Sequence, residues 1–441
     1  IISPEFKKAG SKVILLPVKR DKHQLPDFDQ LERNWERIYE LACSGKILAA
    51  HTVRTGGIAE AISKMSFGNK IGFEFNGSMD VRSLFTADYG SMVLEIADNE
   101  NPDELFKGLE FKLLGTTVAE KVIKINGKSI LLDKAIEKWE APLEKIFPTK
   151  TQESRTNAAL YSFSSPDRKK SSLKIAKPRI FMPVFPGTNC EYDTAKAFEK
   201  AGGLVDILVI KNLTPSDVEE SIKVMAQKID NAQIIMLPGG FSGGDEPDGS
   251  GKFIATAFRN PYVKEAVMRL LKQRDGLMLG ICNGFQALIK LGLVPYGEIR
   301  DITEDCPTLT FNTIGRHVSC MVRTKVVSTL SPWFSKVSLG DIHTIAVSHG
   351  EGRFIANEDV LEMMKKNGQI ATQYVDLDGN PTYDIRFNPN GSIDAIEGIT
   401  SPDGRVLGKM GHSERIGSNV AKNVPGEKDQ KIFEAGVEYF S

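Results

Sequence analysis

Residues 178–441 are predicted to form an α/β fold, in which helices cover both faces of a parallel sheet. Short apolar runs at 180–184 and 204–210 alternate with amphipathic stretches of helical period. Strands that are apolar on both sides are typical of parallel sheets buried beneath helices. Thr214 provides a hydroxyl cap for one of these helices, and Pro215 lies in its first turn.

A chain of 441 residues is too long for one ordinary core, so we expect two domains. Residues 1–146 mix apolar strand candidates with amphipathic helices, which predicts an α+β domain. Residues 147–177 are predicted to form a linker, because the run 149–156 is polar and the run 162–172 has almost nothing apolar to bury. After about residue 308, shorter strands and glycine turns predict an antiparallel extension of the second domain. Because the chain opens on Ile1 rather than methionine, we expect it to begin within a longer protein.

The composition argues against several classes of protein. Lys and Arg total 56 and Asp and Glu total 57, a net charge of −1 that favours neither nucleic acid nor an anionic membrane as partner. No apolar run approaches the ~18 residues that span a bilayer. The five cysteines are odd in number and form no CxxC pair, so neither a disulfide framework nor a metal site is expected. A reducing cytoplasm fits this pattern.

Cys282 is the candidate nucleophile. It lies between the apolar strand 277–279 and the helical stretch 285–291, with Gly280 and Gly284 two residues to either side. A sharp turn from strand to helix needs such small neighbours, and it lifts the sulfur out of the sheet to a helix N-terminus, which favours a thiolate. The alternative is a buried cysteine that packs as a small hydrophobic side chain. The glycine frame favours the nucleophile.

A thiolate that attacks an amide also needs donors for the developing oxyanion. The glycine-rich run 237–245 follows the third predicted strand, and glycines allow backbone N–H groups to approach a ligand closely. The N–H of Gly240 or Phe241, together with that of Asn283, would serve. Taken alone, the run is equally consistent with an ordinary glycine loop.

Two histidines are candidates for the base. His412 follows the predicted strand 405–409, and its side chain would share a side of the extended chain with Glu414. A carboxylate there could orient the imidazole while the imidazole takes the thiol proton. His349 likewise has Glu351 two residues later, so spacing alone does not separate the two. Three further histidines have no such acid and are expected to be structural: His23, His317 and His343.

Several stretches of the second domain resemble the triad glutaminase domain of the phosphoribosylformylglycinamidine synthase family. Together they are far more specific than the cysteine turn alone, which marks triad amidotransferases in general. The resemblance implies a class I glutamine amidotransferase domain with a flavodoxin-like parallel sheet. The matching stretches are residues 186–191, 237–242, 280–286, 349–354 and 411–415.

The resemblance also implies roles for single residues. The base of the family's triad matches His412 and its acid matches Glu414, whereas His349 falls in a loop near the active site and the synthetase interface. Gln286 matches a position beside the bound glutamine. The implied substrate is therefore glutamine, and no cofactor is expected in this domain.

Residues 1–146 resemble the last synthetase domain of the long, single-chain form, which has the aminoimidazole ribonucleotide synthetase-like fold. The run from His51 to Gly57 occupies the place of a family motif, but Thr52 and Thr55 stand where the family often has acids. Because hydroxyls are poor substitutes for carboxylates at Mg²⁺, a turn that caps the next helix is the favoured interpretation. The main ATP and Mg²⁺ sites are expected in synthetase domains upstream of this chain, which are also its expected partners.

The leading hypothesis is that the chain hydrolyses glutamine through a thioester on Cys282. In the family, the ammonia passes to ATP-activated formylglycinamide ribonucleotide in purine biosynthesis. One alternative is a γ-glutamyl hydrolase or cysteine peptidase with the same turn, which the attached synthetase-like domain disfavours. Another is an inactive regulatory module, which the complete set of cysteine, histidine and glutamate disfavours.

Overall fold

The computed structural model describes residues 2–151, 155, 157–166, 170–244 and 250–441. It divides into two compact units, residues 1–149 and 150–441. Asp245 of the glycine-rich run and seven positions of the predicted linker (152–154, 156 and 167–169) lie outside the described residues. None of the helices in the described part of the chain is long and apolar enough to cross a membrane.

The first unit is built on a seven-stranded sheet flanked by helices. The strand order is β2-β4-β1-β5-β3-β6-β7, and every pair is antiparallel except β3 with β6. The strands are β1 (Lys12–Leu16), β2 (Ile47–Thr52), β3 (Gly72–Phe75), β4 (Met92–Ile96), β5 (Lys112–Val118), β6 (Val122–Ile125) and β7 (Lys128–Leu131). The helices are α1 (Phe28–Cys43), α2 (Gly57–Asn69), α3 (Val81–Leu84), α4 (Pro102–Leu105) and α5 (Leu132–Glu140).

Apolar side chains pack on both faces of this first sheet. Those of strand β1 alternate between the two faces. Val13 and Leu15 belong to the cluster that includes residues of α2, whereas Ile14 and Leu16 pack with residues of α1. Asp27 caps α1 by accepting a hydrogen bond from the N–H of Gln30. The unit is thus a mixture of helices and a mainly antiparallel sheet.

The second unit contains a nine-stranded sheet with the order β14-β13-β16-β17-β18-β11-β10-β8-β9, and a separate pair formed by β12 and β15. Its strands are β8 (Arg179–Val184), β9 (Leu204–Val209), β10 (Ile234–Leu237), β11 (Leu277–Ile281), β12 (Thr308–Phe311), β13 (Val318–Val326), β14 (Ile342–His349), β15 (Glu351–Ile355), β16 (Ile370–Tyr374), β17 (Ile396–Thr400) and β18 (Val406–Lys409). Its helices are α6 (Glu191–Lys200), α7 (Pro215–Asn231), α8 (Lys252–Arg259), α9 (Pro261–Gln273), α10 (Asn283–Leu291), α11 (Leu293–Tyr296), α12 (Glu358–Lys366) and α13 (Ile432–Glu438).

The predicted parallel sheet and its antiparallel extension are both confirmed. Strands β18, β11, β10, β8 and β9 run parallel, whereas β14, β13, β16 and β17 continue the sheet antiparallel. Thr214 caps α7 in a full capping box with Asp217. Parallel strands end at one edge of a sheet, so the segments that follow β10, β11 and β18 meet there. Leu237 pairs with Gly280, and Ile281 pairs with Lys409.

Part of the segment predicted as a linker packs against the second unit. Tyr161 is buried, and its N–H donates to the side-chain oxygen of Gln373 at 3.0 Å. The N–H of Phe163 donates to the carbonyl of Val327, and the Phe163 ring lies over Gly368. Isolated aromatic residues in a polar run were therefore enough to attach this segment, although the average composition of the segment indicated a solvated chain.

The backbones of β10 and α10 approach so closely that only glycine fits at position 284. A Cβ there would lie 2.0 Å from the carbonyl oxygen of Leu237. We expect Gly284→Ala to lower the free energy of unfolding of this unit by at least the ~1–3 kcal/mol of ordinary overpacking, because backbone rather than a side chain must move. Equilibrium unfolding in urea measures the change.

Gly350→Ala is the matched control, because a Cβ at Gly350 meets nothing within 4 Å. It should leave the free energy of unfolding within ~0.5 kcal/mol of the wild type. Equal stability of the two variants would contradict the close approach described here.

Candidate active site

Cys282 occupies a strained turn between β11 and α10. Its backbone angles are φ 53° and ψ −107°, a conformation that a residue with a Cβ rarely adopts. Gly280 and Gly284 make the turn possible, because a Cβ on Gly280 would lie 2.7 Å from the backbone of Gly284. The thiol is directed toward the carbonyl oxygen of Ser348, 3.7 Å away. The turn therefore holds the sulfur at the N-terminus of α10, as the glycine pattern predicts.

His412 and Glu414 form a buried pair just after β18. Nδ1 of His412 lies 2.5 Å from a carboxylate oxygen of Glu414, and both residues are buried. The chain is not extended here as expected, because it turns after Lys409, and that turn brings the two side chains together. The backbone N–H of His412 donates to the carbonyl of Ala346 in β14 at 2.8 Å. This hydrogen bond fixes the backbone that carries the imidazole.

Gly239 shows how closely the side chains converge. A Cβ at this position would lie 2.8 Å from Cε1 of His412, 3.5 Å from Cβ of Cys282 and 3.1 Å from the sulfur of Cys190. Three side chains from three parts of the sequence thus surround one glycine. The structure brings Cys282, His412 and Glu414 together as the sequence predicts.

The electrostatics of the pair favour charged partners. Burial lowers the pKa of His412, but the Glu414 carboxylate and hydrogen bonds with Cys190 and Cys282 outweigh it and hold that pKa well above its usual value. Burial raises the pKa of Glu414, but the charge of His412 outweighs this effect and leaves the pKa below its usual value. Glu414 therefore favours the protonated form of His412, and His412 favours the ionised form of Glu414.

Cys190 is a neighbour of the triad that the sequence analysis did not predict as part of the site. Its sulfur lies 3.9 Å from Nδ1 of His412 and accepts a hydrogen bond from the Arg415 guanidinium at 3.4 Å. Its thiol donates to the side-chain oxygen of Asn189 at 3.2 Å. The available signal was its place at a predicted helix start, within one of the stretches that carry the family resemblance.

In the described part of the chain, one group of three side chains could hold a metal ion: Cys190, His412 and Glu414, whose ligand atoms lie within 4.8 Å of one another. Thiolate, imidazole and carboxylate suit Zn²⁺. Such an ion would need the lone pair of the His412 Nδ1, so it would replace the Nδ1 hydrogen bond to Glu414. A metal ion on Nδ1 and the hydrogen bond from Nδ1 to Glu414 therefore exclude one another at this site.

The glycine-rich run leaves one of the two predicted oxyanion donors available. The N–H of Phe241 donates to the carbonyl of Gly187 at 2.8 Å, so this candidate is already engaged. Gly240 has φ 146°, a conformation that favours glycine, and its N–H is the alternative that remains. Asn283 is the first residue of α10, where a backbone N–H has no acceptor within the helix.

The side chains of Asn283 and Gln286 connect the loops around the sulfur. Asn283 accepts from the N–H of Ser242 and donates to the Gln286 side-chain oxygen at 2.9 Å. Gln286 in turn donates to the carbonyl of Glu351 at 2.6 Å. Both ends of the Gln286 amide thus already have protein partners, and the structure shows it as a connection between α10 and β15.

His349 was expected to lie in a loop, but it is the last residue of β14 and is buried. Its Nδ1 lies 3.1 Å from the side-chain oxygen of Asn312, whose amide nitrogen donates to the carbonyls of Arg316 and His349. The Asn312 oxygen must therefore accept, so Nδ1 carries the proton. Nε2 is then an acceptor, and it has no partner among the described residues. Burial lowers the pKa of His349 to about 3.

The geometry defines the class of protein, and comparison with known proteins agrees. Residues 177–440 match the CobB/CobQ-like glutamine amidotransferase domain, and the chain belongs to this family. More particularly, its second unit is a PurQ-like glutamine amidotransferase domain. It is 33% identical over 282 residues to the phosphoribosylformylglycinamidine synthase subunit PurQ of Methanococcus maripaludis, an alignment of 60% of this chain and 98% of that one.

Other relatives share this region. The phosphoribosylformylglycinamidine synthase subunit PurQ of Aquifex aeolicus is 33% identical over 239 residues, which cover 54% of this chain and 90% of that one. A chain in the solved structure of PurLQS from Thermotoga maritima is 26% identical, with a TM-score of 0.43. That alignment covers 60% of this chain and 100% of the Thermotoga chain.

A glutamine analogue that carries a diazoketone should label Cys282 in preference to the other cysteines. Its sulfur lies at the N-terminus of α10, and the substrate site would direct the analogue there. Peptide mapping after partial labelling measures the distribution. A simple maleimide is the control and should label the exposed Cys43 first. Predominant analogue labelling of Cys190 would contradict the choice of nucleophile.

The buried, neutral His349 should make the second unit less stable as the pH falls. Its folded-state pKa is depressed from 6.5 to about 3, so below pH 6.5 the unfolded chain binds a proton that the folded chain does not. The contribution is present above pH 6.5 and is lost as the pH falls, by about 2 kcal/mol between pH 6.5 and 5. Urea unfolding of the wild type and His349→Asn at both pH values isolates it.

The asparagine should retain the Asn312 hydrogen bond and cannot take up a proton in this range. We therefore expect the stability difference between wild type and variant to shrink by about 2 kcal/mol on acidification. A difference that is the same at pH 6.5 and pH 5 would mean that His349 is already protonated in the fold.

Proposed function

We propose that the chain hydrolyses glutamine with Cys282 as nucleophile, His412 as proton carrier and Glu414 as the acid that orients it. The observation that carries the proposal is the convergence at Gly239. A Cβ at this position would lie 2.8 Å from the imidazole of His412 and 3.5 Å from the Cβ of Cys282. The hydrogen bond of 2.5 Å to Glu414 supports the role of the acid, because it fixes which imidazole nitrogen faces the sulfur.

The reaction follows from this arrangement. The Cys282 thiolate adds to the side-chain amide carbon of glutamine, and the oxyanion accepts hydrogen bonds from the N–H groups of Gly240 and Asn283. The C–N bond breaks as His412 gives its proton to the departing nitrogen, which leaves as ammonia. A γ-glutamyl thioester remains on Cys282. Water then attacks the thioester while His412 takes its proton, and glutamate is released from the regenerated thiolate.

We further propose that the ammonia serves the ATP-dependent formation of formylglycinamidine ribonucleotide in purine biosynthesis. The support is the name of its relatives, which are subunits of phosphoribosylformylglycinamidine synthase, and the 98% of the Methanococcus subunit that this chain covers. We propose that the chain is the glutaminase part of the long, single-chain form of the enzyme.

The first unit is proposed to be a synthetase-type domain of the same enzyme, on the strength of the run from His51 to Gly57. The side chains of this run favour a structural role for it in this chain. Thr52 accepts a hydrogen bond from Arg54, and the Thr55 hydroxyl lies 2.7 Å from the hydroxyl of Tyr89. ATP and Mg²⁺ would then bind at other synthetase domains, where the ammonia is consumed.

His412→Asn should abolish formation of the thioester, whereas His349→Asn should not. Of these two histidines, His412 is the one whose imidazole lies beside Cys282 and has a carboxylate partner. Removal of such a group costs several powers of ten in turnover. Single-turnover trapping of the γ-glutamyl enzyme with labelled glutamine is the measurement. Cys282→Ala is the blank, since it lacks the sulfur but keeps the turn.

Each variant must first show the circular dichroism and unfolding transition of the wild type. A block in His349→Asn with normal thioester formation in His412→Asn would refute the proposed triad. The same assay with γ-glutamyl peptides in place of glutamine separates an amidotransferase from a γ-glutamyl hydrolase.

A further inference from the structure

A buried ion pair lies immediately behind the segment that carries His412. Lys409 ends β18 and Glu397 lies on the adjacent strand β17, with a nitrogen–oxygen distance of 3.2 Å. The side chains of both residues are 0% exposed. An ion pair wholly removed from water is uncommon, and none of the reaction steps proposed above uses it.

The pair contacts the residues on both sides of His412. The N–H of Gly411 donates to a Glu397 carboxylate oxygen at 2.6 Å, and the carbonyl of Gly411 accepts from the Lys409 ammonium at 2.8 Å. The same ammonium donates to the hydroxyl of Ser413 at 3.0 Å. The peptide groups of Gly411 and the side chain of Ser413, which flank His412, are thereby fixed in position.

The outer contacts complete the network. The Thr372 hydroxyl donates to the second oxygen of Glu397. The Ser413 hydroxyl donates to the Gln430 side-chain oxygen at 2.6 Å, and the Gln430 amide donates to Thr324 at 3.2 Å. A Cβ on Gly411 would lie 2.9 Å from the Glu397 carboxylate, so the carboxylate reaches the backbone only because residue 411 is glycine.

Stability alone is a poor explanation for such a pair. The desolvation of two charges largely cancels their attraction, and well-packed apolar residues of similar volume are often as stable or more stable in the same place. The contacts of the pair, by contrast, are concentrated on the two neighbours of one histidine. This concentration indicates a role in positioning rather than in folding.

We propose that Lys409 and Glu397 are positioning residues that fix the imidazole of His412 against Cys282. The inference rests on the proposed function, because it concerns the residue assigned there as proton carrier. Neither Lys409 nor Glu397 is expected to touch glutamine. Glu397 acts through the N–H of Gly411, and Lys409 acts through the carbonyl of Gly411 and the hydroxyl of Ser413.

The test is the double variant Lys409→Met with Glu397→Leu, which removes both charges and leaves neither one buried alone. We expect it to fold and to bind glutamine with a KM within about twofold of the wild type. Its kcat should fall on the order of 100-fold, because a misplaced catalytic group loses about that much. The pH profile of Cys282 alkylation should also shift, since the imidazole no longer meets the sulfur in one geometry.

Gln369→Met is the matched control. Gln369 is equally buried and donates two hydrogen bonds, to the carbonyls of Pro295 and Thr400, neither of which flanks His412. It removes a buried polar side chain from the same unit, so it should lower thermal stability while leaving the kcat and the alkylation profile unchanged. An equal loss of kcat in Gln369→Met would show that the effect is a general loss of structure.

His412→Asn, measured in the same assay, separates this inference from the proposed function. If His412→Asn keeps its glutaminase activity, the proposed triad fails. If His412→Asn is inactive while the folded double variant has the kcat and pH profile of the wild type, the triad stands and the positioning role is refuted. If the double variant does not fold, Ser413→Ala takes its place. Ser413→Ala removes the hydrogen bond that Lys409 makes to the residue after His412. An unchanged kcat and pH profile in this variant would overturn the inference.

Discussion

The close approach of backbone segments at the carboxyl edge of the parallel strands is the constraint on which the rest of the site depends. A Cβ on Gly284 would lie 2.0 Å from the carbonyl oxygen of Leu237 at the end of β10, and a Cβ on Gly239 would lie 2.8 Å from the imidazole of His412. The strained angles of Cys282 persist because β11 and α10 fix both ends of the turn. This crowding brings the sulfur of Cys282 and the imidazole of His412 together around Gly239.

His412 and His349 illustrate how one neighbour decides the chemistry of a buried imidazole. Burial alone depresses the pKa of a histidine, and His349 has an amide as its side-chain partner and stays neutral. His412 is also buried, but the carboxylate of Glu414 reverses the direction of its pKa shift. The two histidines had the same spacing to a glutamate in the sequence. In the fold, Glu351 receives the N–H of Ser250 with its carboxylate instead.

Much of the fold and the centre of the site could be predicted from the sequence, because both depend on local patterns. Apolar runs with caps predicted the parallel strands, and the glycine frame predicted the turn at Cys282. What could not be predicted depends on long-range contacts. The burial of Tyr161, the engaged N–H of Phe241 and the sulfur of Cys190 beside His412 involve partners far away in the sequence. The segment from His412 to Glu414 was predicted to be extended, but it forms a turn.

Strand β14 touches both halves of the candidate site. Its Ala346 carbonyl receives the backbone N–H of His412, and its Ser348 carbonyl faces the sulfur of Cys282. The strand is also the outermost of its sheet, and Thr344 is held there by the carbonyl of Glu427. A small displacement of this edge strand changes the surroundings of the sulfur and of the imidazole simultaneously. The sulfur and the imidazole therefore share one support, which lies at the rim of the sheet.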